Sequence, residues 1–351
     1  MDPLRHAERA DQAGVADRPR RRRRVTGAAV AALAVAMLAA LVTACGNTEP
    51  RNLVESIRSG SVTLGTKYDQ PGLGIRNPDE TVTGFDTAVS TFVVNYIADS
   101  LGVRRPEIRW RETPSAQRET LINNGEVDMI AATYSITSAR EKKVDFGGPY
   151  LVNYQGLLVR KDDDSITTLT DLNKGKKLCS VTGSTSAQNV KAQLPAVQLQ
   201  EYDSYSSCVE AVRRGKVDAL TTDEVILAGY ARFFPNEFKL VGMTYPKDAC
   251  VKDALKTAGT PFSTERYGIG MAKQYPEAVK QVNEALTAML VPGPDGRSPW
   301  DAALREAIGD QTVDEMVRRA EAPDSKYAFT PEPGNLSFLD SKSTPCPPGL
   351  S

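Results

Sequence analysis

Between Thr133 and Arg140 the chain sets four hydroxyls, Thr133, Ser135, Thr137 and Ser138, within six residues, just ahead of a guanidinium. Such a cluster can attack a substrate or hold an anion. Attack needs a base, and the commonest one is missing, because the only histidine, His6, lies in the N-terminal segment. A Ser-His-Asp triad, a Cys-His pair and a His-ligated zinc are thereby excluded. Carboxylate, lysine or tyrosine chemistry stays open. No metal or other cofactor is expected.

The N-terminus places the rest of the chain. "RPRRRRR" (18 to 24) precedes an 18-residue apolar stretch from Val25 to Val42, the order of a secretory signal. The "VTAC" that follows resembles a bacterial lipoprotein signal, which implies cleavage before Cys45 and a lipid on its thiol. The alternative is an uncleaved membrane anchor. In both cases the remainder works outside the cytoplasmic membrane, tethered to it. Removing residues 1–44 takes eight of the 43 Lys+Arg and four of the 44 Asp+Glu, leaving 35 against 40. With no basic excess, nucleic acid is not an expected partner.

Cys179, Cys208, Cys250 and Cys346 contain no CxxC, and in an exported chain they read as two disulfides. Three pairings are possible. Cys179 with Cys208 is the expected one, joining a strand, "KKLCSV", to a helix one αβ unit later; Cys250 with Cys346 would hold down the Pro-rich tail. Each bridge would stabilise by about 3 to 4 kcal/mol.

These residues need elements to position them. Short aliphatic runs, "SVTLGT" (61 to 66), "VDMIAA" (127 to 132), "GLLVR" (156 to 160), "VQLQEY" (197 to 202) and "VDALTT" (217 to 222), alternate with helical stretches. The clearest helix is "FDTAVSTFVVNYIADSLG", with Phe85, Val89, Phe92, Val93, Tyr96 and Ile97 at helical spacing. Alternation of this kind predicts mainly parallel sheets covered on both faces, and a chain of this length predicts two lobes. A faint repeat supports that: "LINNGEVDMIAAT" (121 to 133) and "AVRRGKVDALTTD" (211 to 223) share a helix end, a glycine, Val-Asp and a strand ending in polar atoms. Gly125 and Gly215 suit the helix-stopping position, and the Val-Asp carboxylates read as solvated strand starts. Ligands of open α/β sheets sit beyond the carboxyl ends of strands. Thr133 and Ser135 would then face Asp223 across a cleft, a mould for a zwitterion.

From about Arg51 to about Arg319 the chain resembles the family 3 solute-binding proteins of ABC importers, those for glutamate, aspartate and glutamine. The resemblance is carried by "GFD" (84 to 86), "RETLINNGEVDMIAATYSITSAREKKVDFGGPY" (118 to 150), "GSTSAQ" (183 to 188) and "VDALTTDEVILAGYA" (217 to 231). It implies an α/β, two-lobe periplasmic-binding-protein fold (type II) with two hinge crossings and an amino acid in the interlobe cleft. The implied organisation is a signal over 1–44, a lipidated N-terminus and linker over 45–60, and lobe one over 61–156. Lobe two follows over 157–264, a return to lobe one over 265–323, and a Pro/Ser-rich tail over 324–351. No ligand role is visible in 245–262 or in the tail.

By that resemblance Arg140 grips the ligand α-carboxylate, helped by Ser135, Ser184 and Thr185, while Asp223 takes the α-ammonium with Thr133 as a second acceptor. A guanidinium fork matches a carboxylate, and "GSTSAQ", opening a helix after a strand, offers backbone N–H groups to an anion. "TSARE" fits a helix start with Ser138 and Glu141 as a capping box, and Asp223 also fits an N-cap. Lys67, Ser115 and Arg118 match positions that contact the distal group in acidic amino-acid binders, which favours Glu or Asp over Gln or Asn. Rim ion pairing of Lys67 or Arg118 is the alternative. The chain departs from the pattern at Tyr205, where some relatives carry a histidine, and at Gly147, where Ser or Thr is usual before "PY".

The resemblance implies a monomeric, non-enzymatic binder that closes on its ligand and delivers it to the permease and ATPase subunits of an importer. Two rivals remain open. Some exported relatives of this fold are dehydratases, and the same closure could signal amino-acid supply to a membrane partner.

Overall fold

The computed structural model describes residues 49–349. The signal segment and Cys45 lie outside the described residues, and among those described no helix is long and apolar enough to cross a membrane. A helix over Leu53–Ser59 comes first, capped by Asn52, whose side-chain oxygen accepts from the Val54 and Glu55 amides. Part of the segment expected as a linker is therefore ordered. Leu53, Val54 and Ile57 recur one and four positions apart and bury one face of that helix.

The next strand, β1 (Ser61–Thr66), leads into a small antiparallel sheet of β2 (Asp69–Gln70), β3 (Gly74–Arg76) and β4 (Val82–Thr83). The helix Phe85–Ser100 follows and buries Phe85, Val89, Val93, Val94 and Ile97. Fully burying each large apolar side chain stabilises by about 1.5 to 3 kcal/mol. Phe92 and Tyr96, expected on the same face, are only partly buried and stack on each other with centroids 6.3 Å apart. The remaining strands are β5 (Glu107–Glu112), β6 (Met129–Ile130), β7 (Asp145–Arg160), β8 (Lys177–Val181), β9 (Gln198–Tyr202), β10 (Ala219–Asp223), β11 (Phe238–Gly242), β12 (Ala249–Val251), β13 (Ala254–Lys256) and β14 (Thr264–Met271).

Strand order runs β5-β1-β6-β14-β7-β10-β8-β9, with β11 also on β7. Both lobes are visible in that order. In lobe one β1 pairs parallel with β5 and β6; in lobe two β8 pairs parallel with β9 and β10. Strand β7 belongs to both. Its first part, Asp145 to Tyr154, pairs antiparallel with β14, and from Gln155 onward it pairs with β10 and then β11. Two strands, β7 and β14, thus cross between the lobes.

The internal repeat is a structural repeat. Gly125 and Gly215 both stand at φ +66°, and each donates its amide to a helix carbonyl, Ile122 and Val212 respectively, at 3.0 Å. The Val-Asp carboxylates are not solvated strand starts. Asp128 Oδ2 accepts the Thr63 amide at 2.6 Å while its own amide donates to Thr63 O at 2.8 Å. Asp218 repeats both bonds with Lys177, at 2.7 and 2.8 Å. Each carboxylate locks its strand to the neighbouring parallel strand, one in each lobe.

Both expected disulfides are present, Cys179–Cys208 and Cys250–Cys346. The Gly147 departure has a steric cause: a Cβ there would stand 2.4 Å from Val282 Cγ1, on the helix Pro276–Met289. A larger residue cannot enter without moving that helix.

Candidate functional site

The parallel strands of the two lobes end at the residues singled out by sequence. Lys67 follows β1, Ala131 to Ser135 follow β6, Gly183 to Thr185 follow β8, and Asp223 ends β10. All of these residues except Gly183, Ala131 and Ala132 carry polar side-chain groups, and the predicted ten are all buried. Burial forces each polar atom to find a partner or hold one in reserve for a ligand.

Arg140 lies in the short helix Ser138–Glu141. Its N-cap is Thr137, whose backbone is extended and whose Oγ1 accepts the Arg140 amide at 3.3 Å, so the cap sits one residue earlier than Ser138. The guanidinium Nη1 donates to Ser135 O at 2.7 Å, Nη2 to Gly183 O at 2.9 Å, and Nε lies 3.5 Å from Glu119 Oε1. One N–H on each terminal nitrogen has no partner among the described residues. Arg140 belongs to lobe one and Gly183 to lobe two, so this bond spans the cleft, as does Ser135 Oγ with Thr185 Oγ1 at 3.2 Å. The lobes are closed on each other.

Sequence reasoning missed a further bond across the cleft. Asp69 Oδ2 accepts the amides of Tyr205 at 2.8 Å and Ser206 at 3.1 Å, at the start of the helix Tyr205–Arg213. A carboxylate there satisfies orphan N–H groups and meets the positive end of the helix dipole. Asp69 O also accepts Tyr230 Oη. No local pattern marks such a residue, because its partner lies in the other lobe.

Thr133 stands at φ +46°, a left-handed conformation that a β-branched residue adopts only under constraint. Asp86, the acid of "GFD", supplies that constraint. Its Oδ2 accepts the Thr133 amide at 2.8 Å and its Oδ1 accepts Tyr150 Oη at 2.7 Å. Burial raises the Asp86 pKa to about 6, against the pull of those two bonds. Arg118 holds the other side of the turn, donating from Nη1 to Ala132 O at 3.0 Å and Thr133 O at 3.1 Å, and from Nε to Ser115 O at 3.2 Å. Its guanidinium carbon lies 4.2 Å from the Tyr134 ring centroid.

Lys67 Nζ donates to Ser115 Oγ at 2.8 Å, which joins two of the predicted residues directly. Burial, then the nearby Arg118, lowers Lys67 to about 7; burial, then Arg140, lowers Arg118 to about 10. Neither Lys67 nor Arg118 has a carboxylate within 4.0 Å among the described residues. Rim pairing, the alternative reading, does not describe them.

In lobe two, Ser184 caps the helix Thr185–Gln193, its Oγ accepting the Ala187 amide at 3.0 Å. Tyr205 Oη accepts from Thr222 Oγ1 at 2.8 Å. Asp223 precedes the helix Glu224–Phe233 but its side chain makes no cap bond. Instead its Oδ2 accepts Tyr267 Oη at 2.5 Å and its Oδ1 accepts Ser186 Oγ at 3.2 Å. Burial, then the charge of Glu265, raises its pKa to about 8. The site therefore carries a buried acid on one wall and three buried cations on the other.

A family model of the bacterial extracellular solute-binding proteins, family 3, matches residues 62–293. The chain belongs to that family. Among curated members it is 51% identical over 312 residues to the glutamate-binding protein GluB of Corynebacterium efficiens, covering 88% of this chain and 96% of that one. It is 36% identical over 225 residues to a glutamine-binding protein of Geobacillus stearothermophilus, covering 64% of this chain and 77% of that one. Of solved family structures, an ancestral arginine-binding protein bound to glutamine superposes with a TM-score of 0.58 at 30% identity, over 72% of this chain and 99% of that one. The family match ends near the last helices of lobe one, so the tail of this family 3 protein lies beyond it.

Proposed function

We propose that this chain captures an acidic amino acid, glutamate above all, between its lobes and delivers it to an ABC importer. The observation that carries the reading is the pair Lys67 and Arg118, buried with no carboxylate partner within 4.0 Å. An unpaired buried cation is costly, and a ligand carboxylate would remove that cost. Glutamate and aspartate supply one beyond the α-carboxylate; glutamine and asparagine do not. The 51% identity to a glutamate-binding protein supports the same choice.

The remaining groups fit the α-amino-acid end. The two spare N–H groups of Arg140 suit the α-carboxylate, with Ser135 and the helix start at Ser184 and Thr185 adding donors. Asp223 and the Thr133 hydroxyl suit the α-ammonium. Tyr205, an acceptor toward Thr222, keeps its own proton for the distal carboxylate. Ligand binds both walls only when they face each other, so it favours the closed arrangement. The closed form would dock as a monomer on the permease, with Cys45 lipidated and the chain held at the outer face of the cell membrane.

Isothermal titration of Arg140→Ala with Glu, Asp, Gln and Asn tests the site. Loss of binding to all four is expected, with circular dichroism and a cooperative thermal transition showing that the variant still folds. Normal binding would remove Arg140 from the ligand site and overturn the assignment.

A further inference from the structure

We propose that the C-terminal tail is a third connection between the lobes, a strap closed by the Cys250–Cys346 disulfide that favours the closed cleft. The proposal rests on the hinge closure proposed above. It starts from the path of residues that the family match does not reach.

The helix Asp310–Glu321 already touches lobe two through Arg319 Nη1, which donates to Glu224 Oε1 at 3.1 Å, and beyond it Lys326 Nζ donates to Ala258 O at 2.5 Å and to Thr257 Oγ1 at 2.6 Å. It then lies on the crossing strands. Tyr327 meets the Tyr154 ring of β7 edge-on at 4.6 Å, and Tyr154 Oη donates to Ala328 O at 3.1 Å and accepts the Ala328 amide. Gly334 donates its amide to Gly148 O, also on β7, at 2.7 Å. Arg266 of β14 stacks over Phe338 at 4.5 Å.

Leu336, Phe338 and Leu339 pack on the lobe-one cluster that contains Leu121, Ile122 and Ala272. Seven residues later the tail is back on lobe two. Leu255 donates its amide to Thr344 O at 2.8 Å, Pro345 bridges Ala254, and Cys346 is bonded to Cys250 in the β12–β13 hairpin. That hairpin is part of lobe two, with Ala249 and Val251 against the cluster of Leu157, Val159 and Phe262. The tail therefore runs from lobe two to lobe one and back, gripping both crossing strands on the way.

Two flexible strands alone would leave the lobes free to rotate. A strap seated on both lobes adds contacts to the arrangement seen here, in which Arg140 reaches Gly183 and Asp69 reaches Tyr205. Contacts made in one arrangement shift the equilibrium toward it. From Leu339 to Cys346 the chain can span at most about 25 Å, so the covalent bond also bounds how far the anchors separate. Without the disulfide, the lobe-two end is held by one backbone bond and an isolated bridge, and a terminus so held frays. The bond is also the reachable one. Cys250 and Cys346 are partly exposed, whereas Cys179 and Cys208 are fully buried. A small dithiol such as dithiothreitol would reduce the strap first, each dithiol closing to a cyclic disulfide as Cys250 and Cys346 become thiols.

The test compares the unsubstituted full chain with Cys250→Ser/Cys346→Ser and with Phe338→Ala, which loosens the lobe-one grip and leaves the bond intact. Small-angle scattering without ligand should give a larger radius of gyration for both variants. Titration with glutamate should show affinity about five- to tenfold weaker, the low end of coupling between sites. An unchanged radius together with unchanged affinity would overturn the proposal. Should the double variant not fold, the folded protein treated with dithiothreitol gives the same comparison. If the unsubstituted protein fails to compact with glutamate, the closure reading is at fault, and the ligand-free radii still decide the strap.

Discussion

Lys67 and Asp223 titrate in opposite senses, and the difference is measurable. Lys67, pushed down to about 7 by burial and Arg118, is fully charged only below that pH. A bound carboxylate raises its pKa, so glutamate affinity is complete below pH 7 and falls as pH rises past it. Asp223, pushed up to about 8 by burial and Glu265, has its pKa lowered by a bound ammonium. Binding then releases a proton, and affinity rises as pH climbs toward 8. In the proposed assignment Asp223 would act on every α-amino acid and Lys67 on acidic ones alone, so the glutamate-to-glutamine affinity ratio would isolate Lys67. Titrations from about pH 6 to about pH 9 should show that ratio flat below pH 7 and shrinking above. Lys67→Met should lower the ratio about tenfold or more, as expected for losing one charge-assisted bond, and abolish its pH dependence. A ratio indifferent to pH and to Lys67→Met would remove Lys67 from selectivity. Residue types at this scale were legible from the cluster around Arg140 and from the resemblance. The constraint on Thr133 was not, because a positive φ held by Asp86, 47 positions away, leaves no trace in local spacing.

At the scale of elements, the repeat was legible and its purpose was not. Glycine followed by Val-Asp predicted two helix-turn-strand units, and the two units share φ at Gly125 and Gly215. What Asp128 and Asp218 do depends on which strand lies beside them, which the pattern within each copy cannot state. Their pairing gives a stability prediction. Asp128→Ala strips the Thr63 amide of its acceptor in a buried position and should lower stability by about 1 to 3 kcal/mol in urea unfolding. Asp218→Ala, at a half-buried position, should cost less. Equal and negligible losses would return both carboxylates to the solvated role. The same reasoning explains the misplaced cap at Ser138: Thr137 and Ser138 are both good caps, and only the extended backbone at Thr137 chooses between them.

For the whole molecule, strand-helix alternation, chain length and cysteine spacing announced two α/β lobes with two disulfides, and the structure has both. Contacts between lobes were hidden. Asp69 meets a helix 136 positions away, and the tail returns to a hairpin 96 positions back, separations at which a single sequence carries no periodic signal. Those contacts bear on the central claim, because they hold closed a cleft whose buried cations outnumber the acids set against them. The most direct test is isothermal titration of the ligand-stripped protein with glutamate and with glutamine. One-to-one binding of glutamate, tighter than glutamine by about tenfold or more, is predicted. Tighter binding of glutamine, or no heat with glutamate, would contradict the account.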